Sequence, residues 1–177
     1  AVPDSVMLIV SPGCCGRNTS VLSSMRAYQD RFYYLLMDET DIVTGRHLKK
    51  IPKAVAEICE GLKKKPSVVM ICITCVDALL GTDMERVCHK AEEYAGVPVR
   101  PCYMYALTRE GRKPPMVHVR QSVYSLLEPK KKKGNVVNLL GYFSPLTDDC
   151  ELYDLLHGAG VKTIHEISRC KDYAQYQ

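Results

Sequence analysis

Apolar residues follow two alternating patterns along this chain. Some segments are continuously apolar, as in buried strands, and others repeat an apolar residue every three or four positions, as in helices that cover a sheet. The clearest strand is predicted at 67–74 and the clearest helix at 48–62. That helix carries four apolar residues on one face: Ile51, Val55, Ile58 and Leu62. The two patterns together predict a chain built of strands and helices in turn.

Shorter segments of the same kinds fill most of the remaining chain. Strands are predicted at 5–10, 32–37, 97–103, 136–140 and 161–164. Helices are predicted from an Asn18 or Thr19 cap to about residue 30, from the third strand to Gly96, at 116–127 and at 148–157, with polar loops at 38–45 and before residue 115. Strands that alternate with helices predict a mainly parallel sheet in a Rossmann-like, three-layer α/β/α domain.

A charged stretch at 129–134 is interpreted as a linker. It separates a first domain, 1–128, from 135–177, which begins a second βαβ unit. This second stretch is too short to complete a Rossmann-like sheet. The 177 residues are therefore expected to be part of a longer protein.

Cysteine content changes the picture more than any other feature of the composition. The chain has nine cysteines and no tryptophan, with 46% hydrophobic residues. Secreted domains use dense cysteines to replace a core, but a chain of this length and composition has a core to build. A cytoplasmic protein with metal-binding or redox thiols is therefore expected.

Charge and hydropathy exclude two further classes of partner. Seven of the 24 Lys and Arg residues lie in two lysine runs, Lys63–Lys65 and Lys130–Lys133, without interleaved aromatic residues. No nucleic-acid partner is therefore predicted from the net charge of +4. The longest apolar run, Val68–Ile73, is far below the roughly 20 residues of a membrane span. No membrane association is expected.

Three cysteines directly follow predicted strands. Cys14 and Cys15 come after the first strand, and Cys75 ends the third. Because the carboxyl ends of parallel strands meet at one edge of a sheet, these thiols are expected to converge there. A helix N-terminus nearby would lower their pKa and favour the thiolate that binds metal. Zinc and iron–sulfur clusters both suit thiolates, and the spacing leaves that choice open.

The other cysteines have simpler interpretations. Cys72 and Cys75 form a CxxC pair, but strand alternation places them on opposite faces, which argues against a redox dithiol. Four cysteines are expected to be small buried residues inside helices or strands: Cys59, Cys72, Cys88 and Cys150.

No other motif in the sequence indicates a site as strongly. No phosphate-binding glycine motif is present, so ATP binding is not expected. The five histidines show no ligand pairing and are expected to be surface or hydrogen-bonded residues. The acidic residues at 38–41 are interpreted as a solvated loop, and Asp148 with Asp149 as a helix cap. No catalytic residue is assigned.

Several motifs, in order, resemble those of nitrogenase component 1 type subunits. Ser11–Gly16 resembles their HGPxGCG-type segment, and Met37–Gly45 resembles their DIVFGG loop with Gly45 retained. Thr74–Glu85 resembles the segment C-P-x-x-x-I-G-D-D-I-E, although Val76 stands where many members have proline. Gly96–Val99 resembles the G-I-P-V strand that follows. The agreement extends over roughly residues 5–127.

The resemblance implies an iron–sulfur cluster, either 4Fe-4S or P-cluster-like, at a subunit interface in the full-length protein. It implies Cys15 and Cys75 as ligands, with Cys14 as the substitute for Cys15. A further ligand of the family lies upstream of the first motif and is not part of this sequence, which leaves open whether this stretch binds a cluster alone. Hydrogen bonds to cluster sulfur are expected from the backbone N–H groups of three glycines: Gly13, Gly16 and Gly81.

The implied function is that of a cluster-carrying domain in an oxidoreductase subunit. Relatives in this family include dark-operative protochlorophyllide reductase and nickel-sirohydrochlorin reductive cyclase. The domain would relay electrons from an ATP-dependent iron protein to a substrate site elsewhere, with a second component 1 subunit as partner in a homo- or hetero-oligomer. This stretch alone is expected to be inactive. Two alternatives remain open: a non-catalytic scaffold for cofactor assembly and a zinc-binding structural module.

Overall fold

The computed structural model describes residues 2–25, 29–103, 115–131, 134–141 and 143–177. They form two compact units, which are described separately. The larger unit is Asp4–Tyr124, and the smaller one combines Ala1–Pro3 with Ser125–Gln177. The predicted loop at 104–114, residues 26–28 of the first predicted helix and residues 132–133 of the predicted linker lie outside the described residues.

The larger unit is a parallel sheet of four strands with helices between them, which confirms the predicted α/β class. Its strands, in the spatial order β2-β1-β3-β4, are β1 (Ser5–Ser11), β2 (Phe32–Leu36), β3 (Val68–Ile73) and β4 (Val99–Tyr103). Its helices are α1 (Gly13–Met25), α2 (Glu39–Thr44), α3 (Arg46–Gly61), α4 (Cys75–Leu79), α5 (Met84–Ala95) and α6 (Pro115–Tyr124), with a 3-10 turn at Gln29–Arg31.

The smaller unit contains the start of a second βαβ arrangement, as expected. Its two parallel strands are β5 (Val136–Leu139) and β6 (Thr163–Glu166), and α7 (Glu151–Gly158) lies between them in sequence. A 3-10 turn at Ile167–Arg169 and the short helix α8 (Tyr173–Tyr176) follow. In both units, none of the described helices combines the length and apolar character needed to cross a bilayer.

The core of the larger unit lies between the sheet and the pair α3 and α5. Every residue of β3 is buried, because this strand lies between β1 and β4 and is covered on both faces. On one face, Ile71 packs with Ile51 and Val55 of α3, as the helical spacing predicted. On the other face, Cys72 packs with a smaller apolar group that includes Val119 of α6. Helices therefore cover both faces of the sheet.

Two helix starts differ from the prediction. The first helix begins at Gly13 rather than at an Asn18 or Thr19 cap, because the Pro12 carbonyl already accepts from the Cys15 and Gly16 N–H groups. The segment predicted as a polar loop at 38–45 contains α2. The Asp38 side chain accepts from the N–H of Asp41 at 2.7 Å and caps that helix.

Two further boundaries were also predicted wrongly. The helix expected between the third strand and Gly96 is two helices, since Gly81 between them has a φ of 65° and ends the first one. The N-cap of α7 is Cys150, without a side-chain cap bond, and not the Asp148–Asp149 pair. Asp148 instead pairs with Arg169 at 2.7 Å.

Candidate functional site

The predicted ligand cysteines lie at the carboxyl edge of the sheet, at the ends of two adjacent strands. Cys14 and Cys15 stand in the first turn of α1, directly after β1. Cys75 is the first residue of α4, after β3. Since β1 and β3 are parallel neighbours, their ends reach the same edge. The thiols belong to the first turns of helices rather than to loops, where the sequence pattern had placed them.

Cys15 lies beside Cys14 at the start of α1. Its Sγ is 3.9 Å from the Sγ of the exposed Cys14. Burial raises the pKa of Cys15, and the hydrogen bond and charge of Cys14 and the charge of Cys75 raise it further. The expected lowering of this pKa is wrong for Cys15, because burial and the neighbouring thiols raise it. A bound cation would instead lower the pKa of the thiol.

The donor chemistry at this edge fits a thiophilic metal group in part. Thiolate sulfur is the usual ligand of iron–sulfur clusters, and most clusters need about four such ligands. Among the residues that the structure describes, no group of three or more His, Cys, Asp or Glu side chains is placed to hold a metal ion. The described residues therefore do not form a complete metal site by themselves, and the assignment of Cys15 and Cys75 as ligands stays a prediction.

Two buried hydroxyls at the same edge also fit a group bound there. Ser11 ends β1 and Thr74 immediately precedes Cys75. Neither Ser11 Oγ nor Thr74 Oγ1 has a hydrogen-bond partner among the described residues. Buried polar atoms are normally paired, and a hydroxyl is a donor that sulfur can accept. Both hydroxyls are therefore suited to hydrogen-bond to a sulfur-rich ligand.

The glycines singled out from the sequence have other structural roles as well. The N–H of Gly16 donates to the Pro12 carbonyl at 3.3 Å, and that of Gly81 donates to the Ala78 carbonyl at 3.3 Å. Gly81 adopts the left-handed conformation that favours glycine. A Cβ added at Gly13 would meet nothing within 4 Å, so packing does not require glycine there. Hydrogen bonds from Gly13, Gly16 and Gly81 to a cluster stay a prediction.

Most of the remaining cysteines pack in the core, as predicted. Cys59, Cys72 and Cys88 are buried, and burial raises the pKa of both Cys72 and Cys88 to about 12. Cys72 lies opposite Cys102 of the neighbouring strand, in the apolar group on its own face of the sheet. The prediction was wrong for Cys150, which is partly buried at the N-cap of α7 and not inside an element.

A buried polar group that includes Asp77, two residues after Cys75, was not identified from the sequence. The side chain of His47 is 1% exposed and that of Asp77 is 0% exposed. His47 Nδ1 lies 3.0 Å from the backbone oxygen of Asp41, and His47 Nε2 lies 3.0 Å from Asp77 Oδ1. Because a carbonyl oxygen only accepts, Nδ1 is the donor in the first bond. The spacing held one clue, since His47 lies four residues before Ile51 and so on the buried face of α3.

Asp41 is also buried, which corrects its interpretation as part of a solvated loop. Both of its carboxylate oxygens accept from Lys50 Nζ at 2.7 Å, and Arg46 Nε lies 3.3 Å away. The hydrogen bond from Lys50 lowers the pKa of Asp41 more than burial raises it, and the charges of Lys50 and Arg46 add to the effect. The carboxylate therefore ties α2 to the first turns of α3.

A parallel α/β unit with cysteines at the carboxyl ends of neighbouring strands defines the class of site, and sequence comparison defines the family. The chain belongs to the nitrogenase component 1 type oxidoreductase family, whose model matches residues 1–175. This confirms the resemblance found in the motifs.

Curated relatives include proteins with a role in cofactor synthesis. The chain is 32% identical over 127 residues to nitrogenase iron-molybdenum cofactor biosynthesis protein NifE of Rhizobium meliloti (strain 1021), covering 70% of this chain and 26% of that protein. It is 27% identical over 175 residues to NifE of Nostoc sp. (strain PCC 7120 / SAG 25.82 / UTEX 2576), covering 94% of this chain and 36% of that protein. The chain thus spans only about a quarter to a third of these relatives.

A solved structure of nitrogenase Cp1 at pH 6.5 has the same fold over this length. The TM-score is 0.69 at 20% sequence identity, with 99% of this chain and 36% of the nitrogenase chain covered. At this level of identity the similarity establishes the fold alone.

Proposed function

We propose that this chain is the cluster-binding part of a cofactor-assembly scaffold, in which Cys15 and Cys75 are iron–sulfur ligands. The observation that carries the proposal is their placement. Both thiols follow adjacent parallel strands, whose carboxyl ends reach the same edge of the sheet. Two neighbouring thiols without a disulfide are suited to bind soft metal centres.

Similarity to cofactor biosynthesis proteins favours assembly over electron relay. The relatives named above are both NifE proteins, and one of them is 32% identical over 70% of this chain. We therefore place the scaffold first and electron relay from an ATP-dependent iron protein second. Family membership supports both, since one fold carries several functions.

Each residue at the sheet edge has a separate task in this proposal. Cys15 and Cys75 bind iron as thiolates, while the hydroxyls of Ser11 and Thr74 donate hydrogen bonds to sulfur. Cys14, which is exposed beside Cys15, is the substitute ligand. A bound cluster would supply iron and sulfide for a larger cofactor or a site for one-electron transfer. The remaining ligands come from the rest of the protein or from a second component 1 type subunit.

Anaerobic reconstitution of the full-length protein with ferrous iron and sulfide tests the ligand assignment. We expect cluster absorption and an EPR signal after reduction in the unmodified protein. We expect loss of most bound iron in Cys75→Ser and in Cys15→Ser combined with Cys14→Ser, which removes the substitute ligand as well. Cys150→Ser is the matched control, because Cys150 is equally part-buried but lies in the smaller unit. Full iron content in both ligand variants would overturn the assignment. Zinc in place of iron in the protein as isolated would favour the structural module.

A transfer assay separates the two candidate functions. A scaffold is expected to pass its bound iron and sulfide to an apo-acceptor protein, with loss of its own absorption. An electron relay is expected to keep its cluster and to be reduced by an iron protein and ATP. Reduction without transfer would therefore reverse the order of the two proposals.

A further inference from the structure

Cys75 is the first residue of α4, a helix with few buried apolar side chains. Helix α4 has five residues, too few to be stable alone. Leu79 and Leu80 at its C-terminal end are 72% and 52% exposed. Burial of apolar side chains therefore does not hold this helix firmly against the sheet. Whatever fixes the position of Cys75 has to come from other contacts.

Asp77, two residues after Cys75, provides such contacts. Its Oδ1 accepts from Thr82 Oγ1 at 3.2 Å, and its backbone oxygen accepts from the Thr82 N–H at 3.1 Å. The same Oδ1 lies 3.0 Å from His47 Nε2 of α3. The second oxygen, Oδ2, is buried without a partner among the described residues. The stability of this buried carboxyl group thus depends strongly on His47.

His47 extends this connection to a third helix. Its other ring nitrogen, Nδ1, donates to the backbone oxygen of Asp41 in α2. The imidazole is buried and fixed at both ends, so it cannot turn without breaking a bond. It therefore joins α2 and α4 rigidly through α3.

From this geometry we infer that His47 and Asp77 are positioning residues, which fix the first turn of α4 and thereby the direction of the Cys75 thiol. The inference rests on the proposed function for its purpose, since a ligand thiol must be held in place before the metal group binds. The hydrogen bonds that fix α4 are present whether or not a cluster is bound. Without the His47–Asp77 bond, α4 is expected to open locally and expose Cys75 more often.

Site-selective alkylation of the metal-free, reduced protein measures that opening directly. Iodoacetamide is applied under native conditions, and the rate at each cysteine is read by peptide mass spectrometry. His47→Phe keeps a ring in the cavity but has no nitrogen. Of the two hydrogen bonds that this variant loses, the one to Asp77 reaches α4. We expect the rate at Cys75 to rise roughly two- to tenfold, the range that follows from losing that one net hydrogen bond. The rates at the buried Cys72 and Cys88 are expected to stay unchanged.

Partial rescue and an exposed control distinguish positioning from general stability. His47→Gln restores an amide nitrogen near the place of Nε2 and is expected to bring the Cys75 rate part of the way back. His89→Gln is the matched control, because the side chain of His89 is 73% exposed on α5. An unchanged Cys75 rate in His47→Phe overturns the inference. An equal rise at Cys72 and Cys88 also overturns it, because it would show general unfolding.

A double variant covers the case in which the buried carboxylate, left unpaired, prevents folding. His47→Phe combined with Asp77→Leu removes both polar partners and leaves no unpaired charge. We expect it to fold and still to show faster alkylation of Cys75. If neither variant folds, the pair supports the core and the inference fails. These outcomes are separate from those of iron reconstitution, which decide the proposed function whatever the alkylation rates are.

Discussion

Gly16 of α1 faces Ser11 of β1 at close range. A Cβ added at Gly16 would lie 3.1 Å from Ser11 Oγ, tighter than most packed contacts, and 3.4 Å from a methyl carbon of Leu36. Ser11 is fully buried, whereas Leu36 is exposed and can move more easily. The absence of a side chain at Gly16 therefore lets the first turn of α1, with Cys15, lie directly on the end of the strand.

We predict that Gly16→Ala and Gly13→Ala have opposite effects on stability. Alanine is favoured over glycine in a helix by up to about 1 kcal/mol, so Gly13→Ala, which meets no neighbour, is expected to be neutral or stabilising. Gly16→Ala is expected to cost roughly 1–2 kcal/mol, because the close contact with Ser11 outweighs that gain. Urea unfolding midpoints measure both. Equal midpoints for the two variants would show that α1 can shift away from the sheet without cost.

The sequence predicted the sheet well because its strands are recognisable from local pattern alone. β3 is buried along its whole length, and its six apolar residues need no information from elsewhere in the chain. The positions of Cys15 and Cys75 at the sheet edge follow from the same pattern, since they come directly after strands.

The parts that were missed depend on partners distant in sequence. Apolar periodicity reports burial of apolar side chains, but Asp41 and His47 are buried polar groups. His47 is satisfied by Asp77, 30 residues away, and no local pattern predicts that pairing. The pKa of Cys15 was wrongly expected to fall. The sequence shows that a cysteine lies near the start of a helix, but it does not show burial beside other thiols, which raises this pKa.

We predict that Lys50→Met destabilises the larger unit at neutral pH and raises the pKa of Asp41. Lys50 supplies the main hydrogen bonds to this carboxylate. The carboxylate is buried, and without Lys50 its remaining ion-pair partner among the described residues is Arg46. Since the pKa of Asp41 is lowered in the folded chain, its contribution to stability is present above its unfolded value of 3.8 and is lost as the pH falls below it. The two proteins are therefore expected to differ in urea midpoint at pH 7 and to converge at low pH.

The neighbouring lysine is the control for that measurement. Lys49 is exposed on the same turn of α3, and Lys49→Met is expected to leave the midpoint nearly unchanged at every pH. The pKa of Asp41 can be followed by NMR in both variants. A Lys50→Met protein with the unmodified midpoint and pKa would show that Arg46 alone compensates the carboxylate.

In the smaller unit, we predict that acid stability depends on Glu166. Burial alone would raise the pKa of this residue, but hydrogen bonds from Tyr153, Ser168, the Leu146 N–H and Arg169 together lower it to about 2. These bonds are short, with distances from 2.6 to 2.9 Å. Because the folded pKa is lowered, the stabilisation is complete above the unfolded value of 4.5 and is lost as the pH falls towards 2.

Glu166→Gln removes that dependence, because an amide carries no charge in this range. The variant is expected to be less stable at pH 7 by roughly 2 kcal/mol, the typical contribution of hydrogen bonds to a charged group. Its stability is expected to fall little further between pH 4.5 and pH 2. Urea unfolding followed by the NMR signals of β6 measures this at each pH, with the exposed Glu151→Gln as control. If the unmodified protein and Glu166→Gln lose stability in parallel below pH 4.5, other carboxylates cause the acid transition. If stability falls with pH in the unmodified protein but not in Glu166→Gln, the acid transition is assigned to the four hydrogen bonds on Glu166.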